Sequence, residues 1–337
     1  MVISFDRILM SIFLSLTLIR CAESDEEKYG SLSETISVDD IFESDSQYIA
    51  VVGDIQEYTL NSHKLYNLIY TYSWLNVQQR SHNNISCVLQ VGDFTEHNNA
   101  REWGNADFAL RYLDERMLFI PVTGNHDYDW GGASGPTEIT DRMSSGINQL
   151  SNLKALCGSS VQYYEENRLD NIIVPIEIQG EDINIIGLEF GPRKEAVAWA
   201  DSIVRANPYT KYILLTHEWL TSAGERIATG SYASHQLPTL SHSTPQEIWE
   251  QLVYPNDNVL CVVCGHNGFC KYLFSENQAG RDVCQILFNL QYQDNGGDGM
   301  IQLWEFPQNR KVINISVYNT LKREFHPDPE TRVQINY

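Results

Sequence analysis

The chain is poor in basic residues. It has 23 Lys and Arg against 44 Asp and Glu over 337 residues, a formal net charge of -21. A nucleic-acid backbone needs a basic surface, so this balance excludes nucleic acid as the main partner. A small phosphorylated substrate stays open, because a bound metal inverts the local field. A bilayer-spanning run is lacking at the N-terminus, where residues 8–19 are mostly apolar but number only twelve. Internal repeats and linkers are absent too, which leaves one large domain as the simplest organisation. Hydrophobic residues make up 42% and charged residues 20%, enough apolar content for a buried core.

What is present at the N-terminus has the layout of an export signal: Arg7, the apolar run, then Ala22-Glu23-Ser24-Asp25-Glu26-Glu27. Residues 1–21 read as a signal peptide cleaved near Cys21 or Ala22, which makes the protein secreted or extracytoplasmic. The alternative is a lipid anchor on Cys21 at a membrane surface, for which Arg20 is an unfavourable preceding residue. Residues 22–46, acidic and serine-rich, are expected to form a disordered spacer, with the folded domain over 47–337. Six cysteines remain beyond Cys21, an even number that suits an exported chain. Cys87, Cys261 and Cys264 sit in apolar runs and read as buried thiols. Cys270 and Cys284 flank an expected hairpin loop, and are the expected disulfide pair. Asn84-Ile85-Ser86 and Asn314-Ile315-Ser316 are glycosylation sequons.

Apolar runs at 48–52, 87–91 and 118–122 alternate with helical patterns, one of them carrying Leu65, Leu68, Ile69, Tyr72 and Leu75 on a single face. This β-α-β-α-β order predicts a parallel sheet covered by helices. Gly131-Gly132 and Gly135-Pro136 mark a loop. Strands are expected at 172–178, 183–190, 212–215 and 259–264, with a helix over 195–206. A long polar segment, 219–246, reads as a lid or pocket wall, and the last third as antiparallel hairpins.

Five of the strands stop at a possible metal ligand. The motifs are Gly53-Asp54-Ile55-Gln56, Gly92-Asp93, Gly124-Asn125-His126-Asp127, Thr216-His217 and Gly265-His266-Asn267-Gly268. A lone Gly-Asp is usually a turn and a lone Thr-His a surface or core histidine, but five in order point to one site at the carboxyl ends of the strands. Asp54, Asp93 and Asn125 offer oxygen, His217 and His266 nitrogen, a set suited to two divalent ions among Mn, Fe, Zn and Mg. Such a pair polarises a phosphoryl oxygen and activates water. His126 is the candidate general acid, with Asp127 orienting it or tuning its pKa. His97, Asn98, Asn99 and Arg193 are candidates to touch substrate, while His235 and His242 read as surface residues.

At these residues the chain resembles the calcineurin-like metallophosphoesterase family, over about residues 47–306. Gly124-Asn125-His126-Asp127 is the most specific piece. Leu188-Glu189-Phe190-Gly191-Pro192-Arg193 and Asn295-Gly296-Gly297-Asp298-Gly299 look like its exported bacterial-type branch. The resemblance implies a four-layer α-β-β-α sandwich and two-metal hydrolysis of phosphate esters. It implies that Asp93 bridges the metals, that Asn125, His217 and His266 complete one site, and that His126 is catalytic. The family usually supplies Asp-x-His first and Gly-His-x-His last. Here Gln56 and Gly268 stand where those outer histidines belong, both at the same metal. That position keeps Asp54, Asp93 and the Gln56 carbonyl, with Gln291 and Asn267 as candidates to fill it.

Overall fold

Strands with apolar residues on both faces must be covered on both sides. In β7 (Lys211–Leu215) and β8 (Val259–Cys264), Ile213, Leu215, Cys261 and Val263 join the large core shared by both sheets, while Tyr212, Leu214, Val262 and Cys264 pack outward against a helix. That helix, Lys194–Ala206, contributes Val197, Ala200 and Val204, the apolar face expected from its spacing. The computed structural model describes residues 32–129 and 138–337; the expected signal segment, Cys21 and the glycine loop at 131–136 lie outside the described residues.

The first sheet contains β1 (Ser46–Val52), β2 (Ile85–Gln90) and β3 (Leu118–Pro121), then β11 (Met300–Pro307), β12 (Val312–Asn319), β13 (Glu324–Phe325) and β14 (Val333–Asn336). Its order is β13-β12-β11-β1-β2-β3, with β14 also on β12, and β1, β2 and β3 run parallel. The second sheet adds β4 (Gln162–Tyr163), β5 (Asn171–Ile178), β6 (Glu181–Leu188), β9 (Phe269–Glu276) and β10 (Asp282–Asn289). Its order is β4-β5-β6-β7-β8-β10-β9, with β6, β7, β8 and β10 parallel. The helices Ser62–His82 and Ala100–Leu110 bury Leu68, Ile69, Tyr72, Leu75, Trp103 and Ala106 with the first sheet. The layers are therefore α-β-β-α, as expected.

Two expectations fail. The expected disordered spacer takes in residues 36–46, yet Ile36 and Phe42 are buried and Ser46 begins β1. Phe42 packs edge-on against Tyr48, 4.8 Å between ring centroids, and lies 5.9 Å from Trp74. Asp39, only 4% exposed, accepts hydrogen bonds from Trp74 Nε1 (2.9 Å) and the Tyr318 hydroxyl (2.5 Å), and pairs with Arg323. An acidic average over the segment hides a few apolar anchors and one buried, fully partnered carboxylate. Cys270 and Cys284 do occupy the expected hairpin, but both are free thiols. Cys270 lies opposite Phe288 and Cys284 opposite Phe274. Four residues of offset separate them by about 13 Å along the ladder, beyond disulfide reach of about 7 Å between Cα atoms.

Asp39→Ala strands the Trp74 and Tyr318 donors in the core. It should lower unfolding stability by about 2–3 kcal/mol in urea denaturation. An unchanged midpoint would show that residues 36–46 contribute nothing to the fold.

Candidate metal centre

Because β1–β3 and β7–β8 each run parallel within their sheets, their carboxyl ends bring Asp54, Asp93, Asn125, His217 and His266 to one edge of the sandwich. His217 is fully buried, and its Nδ1 donates to the Val91 carbonyl at 2.7 Å. That bond sets the tautomer and aims Nε2 inward. Nε2 then lies 3.1 Å from Asn125 Oδ1, 3.3 Å from Asp93 Oδ2 and 3.2 Å from His266 Nδ1. His266 Nδ1 is also 3.0 Å from Asn125 Oδ1. Lone pairs brought this close repel unless positive charge sits among them. Among the described residues, Asp93, His217 and His266 alone satisfy the spacing of a metal nest. The donor set of two imidazoles, one carboxylate and one amide oxygen suits a divalent cation.

The electrostatics of the nest point the same way. Burial opposes a charged His217 ring, but the adjacent Asp93 carboxylate holds it up to about 10. Burial, then repulsion from His217, drops His266 to about 3. Burial alone would raise Asp93, yet the His217 and His126 charges bring it well below the usual carboxylate range. Even a proton is thus held in the nest, favoured on His217 by the Asp93 carboxylate.

Local backbone makes room for this crowding. Asp93 (φ 51°) and His266 (φ 68°) both adopt the left-handed conformation, uncommon for residues with a side chain and typical of functional turns. The glycines of the motifs serve close approach. A Cβ on Gly124 would overlap the Asp93 carboxylate, and one on Gly265 would overlap that of Asp54. Gly124 and Gly265 thus each admit a ligand delivered by a different strand.

The Asp54 side is built differently. Asp54 Oδ2 accepts from Asn289 Nδ2 at 2.6 Å, Gln291 Nε2 at 3.2 Å and the His266 backbone N–H at 3.1 Å. Burial pushes this carboxyl well above its usual range. Gln56, expected to offer an oxygen to a metal, donates Nε2 to Asp93 Oδ2 at 3.1 Å and leaves that oxygen, Oε1, buried without a partner. Asn267, a candidate for the same place, donates to the Leu220 carbonyl at 2.7 Å. Sequence reading missed Asn289. The signal was there, since it ends β10, another strand parallel to β8.

His126 lies in the cleft over the nest, and its backbone N–H donates to Asp93 Oδ1 at 3.0 Å. Its ring is oriented by Glu96, not by Asp127: Nδ1 is 3.0 Å from the Glu96 carbonyl oxygen and 3.5 Å from its carboxylate. Burial works against the charged ring, but Asp93 and Glu96 raise its pKa above the usual value. Asp127 is fully buried and braces the loops, accepting from Thr95 N–H (3.0 Å) and Gly124 N–H (2.9 Å). Burial, then the Asp93 charge, lifts it to about 7. Asn99 caps the helix Ala100–Leu110, Asn98 bonds Asp129, and the His97 ring meets Glu102. Arg193 is committed to Glu165 and Glu189.

The cleft measures about 520 Å³ and is lined by Gln56, Asp93, Asn125, His126, His266 and Gln291, with Tyr292 and Phe269 at its edge. Ser222, Tyr232 and Gln236 come from the segment 219–246, which is therefore a pocket wall. Tyr232 meets the His266 ring edge-on at 4.4 Å, and Phe190 stands behind both histidines.

The chain is similar to the uncharacterized protein YvnB of Bacillus subtilis (strain 168), 26% identical over 258 residues, covering 73% of this chain and 18% of that protein. It spans less than a fifth of that relative's length. Among solved structures it is similar to a 5'-nucleotidase precursor from Thermus thermophilus, at 13% identity, 86% of this chain, 54% of that chain and a TM-score of 0.41. A conserved uncharacterized protein from Streptococcus pneumoniae, titled a predicted phosphoesterase, is similar at 10% identity, 87% of this chain, 98% of that chain and a TM-score of 0.35. The family model described as calcineurin-like phosphoesterase matches residues 48–270, a span that holds every residue of the metal nest, and the chain belongs to that family.

Proposed function

We propose that this protein hydrolyses a small phosphomonoester or phosphodiester with the help of a divalent metal. The observation that carries the reading is the nest of Asp93, Asn125, His217 and His266 opening into the same cleft as His126. A metal in that nest supplies Lewis-acid polarisation of the phosphoryl oxygen and lowers the pKa of water at neutral pH. Asp93, Asn125, His217 and His266 would hold it, with the His217–Val91 bond fixing one ligand's orientation.

The chain's own acid is His126. With Nδ1 donating to Glu96, the second, transferable proton belongs on Nε2, where it passes to the departing alcohol oxygen. Glu96 is a positioning residue in this reading. The acidic surface argues for a small substrate, since bound metal must reverse the local field for a phosphate to enter. Mn, Fe, Zn and Mg are all compatible with the mixed N/O set.

A second reading, a ligand-binding module with little turnover, draws on the amides gathered at Asp54. Turnover separates the two. Chelator-treated protein should hydrolyse generic aryl phosphate mono- and diesters only after Mn, Zn, Fe or Mg is restored. His126→Ala should lower kcat by about 10²–10⁴-fold while metal content stays the same. No turnover with any metal, or His126→Ala equal to wild type, would overturn the hydrolase.

We further propose that residues 1–21 direct export, on the pattern of Arg7, apolar run and acidic flank. Expressed at full length, the protein should leave the cytoplasm and begin near Cys21 or Ala22 by N-terminal sequencing. Lipid on Cys21 would show as a mass increase on the mature chain, and an uncut cytoplasmic product would refute export.

A further inference from the structure

Resting on the metal-centre reading above, we infer that this chain holds one divalent cation, not two, because Asn289 and Gln291 turn amide N–H groups onto Asp54 where the other would bind.

Asn289 is the decisive residue. Its Oδ1 accepts the Gln291 backbone N–H at 3.0 Å, and its Nδ2 donates to the His266 carbonyl at 3.3 Å. Those two bonds fix which end of the amide faces which neighbour. The nitrogen must face Asp54 Oδ2, 2.6 Å away. An amide N–H donates and offers no lone pair to a metal. Asp54 Oδ2 also receives Gln291 Nε2 and the His266 backbone N–H, so an oxygen with two lone pairs already answers three donors. The charge that a cation would neutralise is met by N–H dipoles instead.

The place of a second histidine side chain is taken as well. A Cβ on Gly268 would lie 2.7 Å from Cδ2 of Tyr292 and 3.2 Å from its Cε2. A side chain at position 268, where Gly-His-x-His would place the second histidine, therefore requires Tyr292 to swing away. Where the family pattern would place histidines at 56 and 268, this chain sets Asn289 and Gln291 on Asp54 and the Tyr292 ring beside Gly268. Gln56 retains an unpartnered buried oxygen, Oε1. That oxygen, the carboxylate shared with the nest and Asp54 Oδ1, which itself faces the His266 N–H at 3.2 Å, make a poor coordination sphere beside the Asn289 nitrogen.

Elemental analysis of purified full-length protein after loading with excess Mn or Zn should give one ion per chain. The electron paramagnetic resonance spectrum of the Mn-loaded protein should be that of an isolated ion, without exchange coupling. His217→Ala should take the stoichiometry from one to none, and Gln56→Ala should leave it at one; circular dichroism of each variant confirms that the fold survives. Two ions per chain, a coupled Mn pair, or one ion retained by His217→Ala would overturn the inference and leave hydrolysis standing. One ion bound without turnover would overturn hydrolysis and leave the inference standing. No bound ion under any condition would overturn the metal centre and this inference together.

Discussion

Crowded lone pairs at the edge of the sandwich impose the constraint on which the rest of the site depends. His217 Nε2, His266 Nδ1, Asn125 Oδ1 and Asp93 Oδ2 approach within 3.0–3.3 Å of their neighbours in the nest. Such a cluster is stable only around positive charge. Its geometry is enforced from behind: Val91 holds the His217 ring, Phe190 backs both imidazoles, and the left-handed turns at Asp93 and His266 aim their side chains inward. Rigid strands with apolar cover on both faces supply the support that keeps these ligands in place.

The same constraint explains the glycines. Ligand motifs from different strands share so little space that Gly124 and Gly265 stand where a methyl group would displace a carboxylate. Glycine followed by a ligand at Gly124 and Gly265 is therefore one structural device, the glycine of one motif admitting the ligand of another.

Around Asp54 the protein meets a buried carboxylate with N–H donors from Asn289, Gln291 and the His266 backbone. The two halves of the edge thus differ, one gathering ligand atoms that suit a cation and the other gathering amides. Either arrangement satisfies a buried charge, but they differ in chemistry. A cation polarises a phosphoryl oxygen strongly, while amides hold an anion in place.

Much of this was legible in the amino-acid order. Buried parallel strands are short continuous apolar runs, so 48–52, 212–215 and 259–264 could be read directly, and the glycine-ligand motifs after them marked the site. Residues 36–46 escape such a reading because composition averages conceal a few anchors such as Phe42 and Asp39. The Cys270–Cys284 pairing fails because strand register, not loop proximity, decides which side chains meet. The partner of His126 and the amides at Asp54 were beyond the sequence for a related reason. Glu96 lies 30 residues from His126 and Asn289 lies 235 from Asp54. Local patterning determined which segments become strands and which residues end them. Only tertiary structure decided which of those ends face one another, because hydrogen-bond partnership depends on distances of about 3 Å that no periodicity encodes.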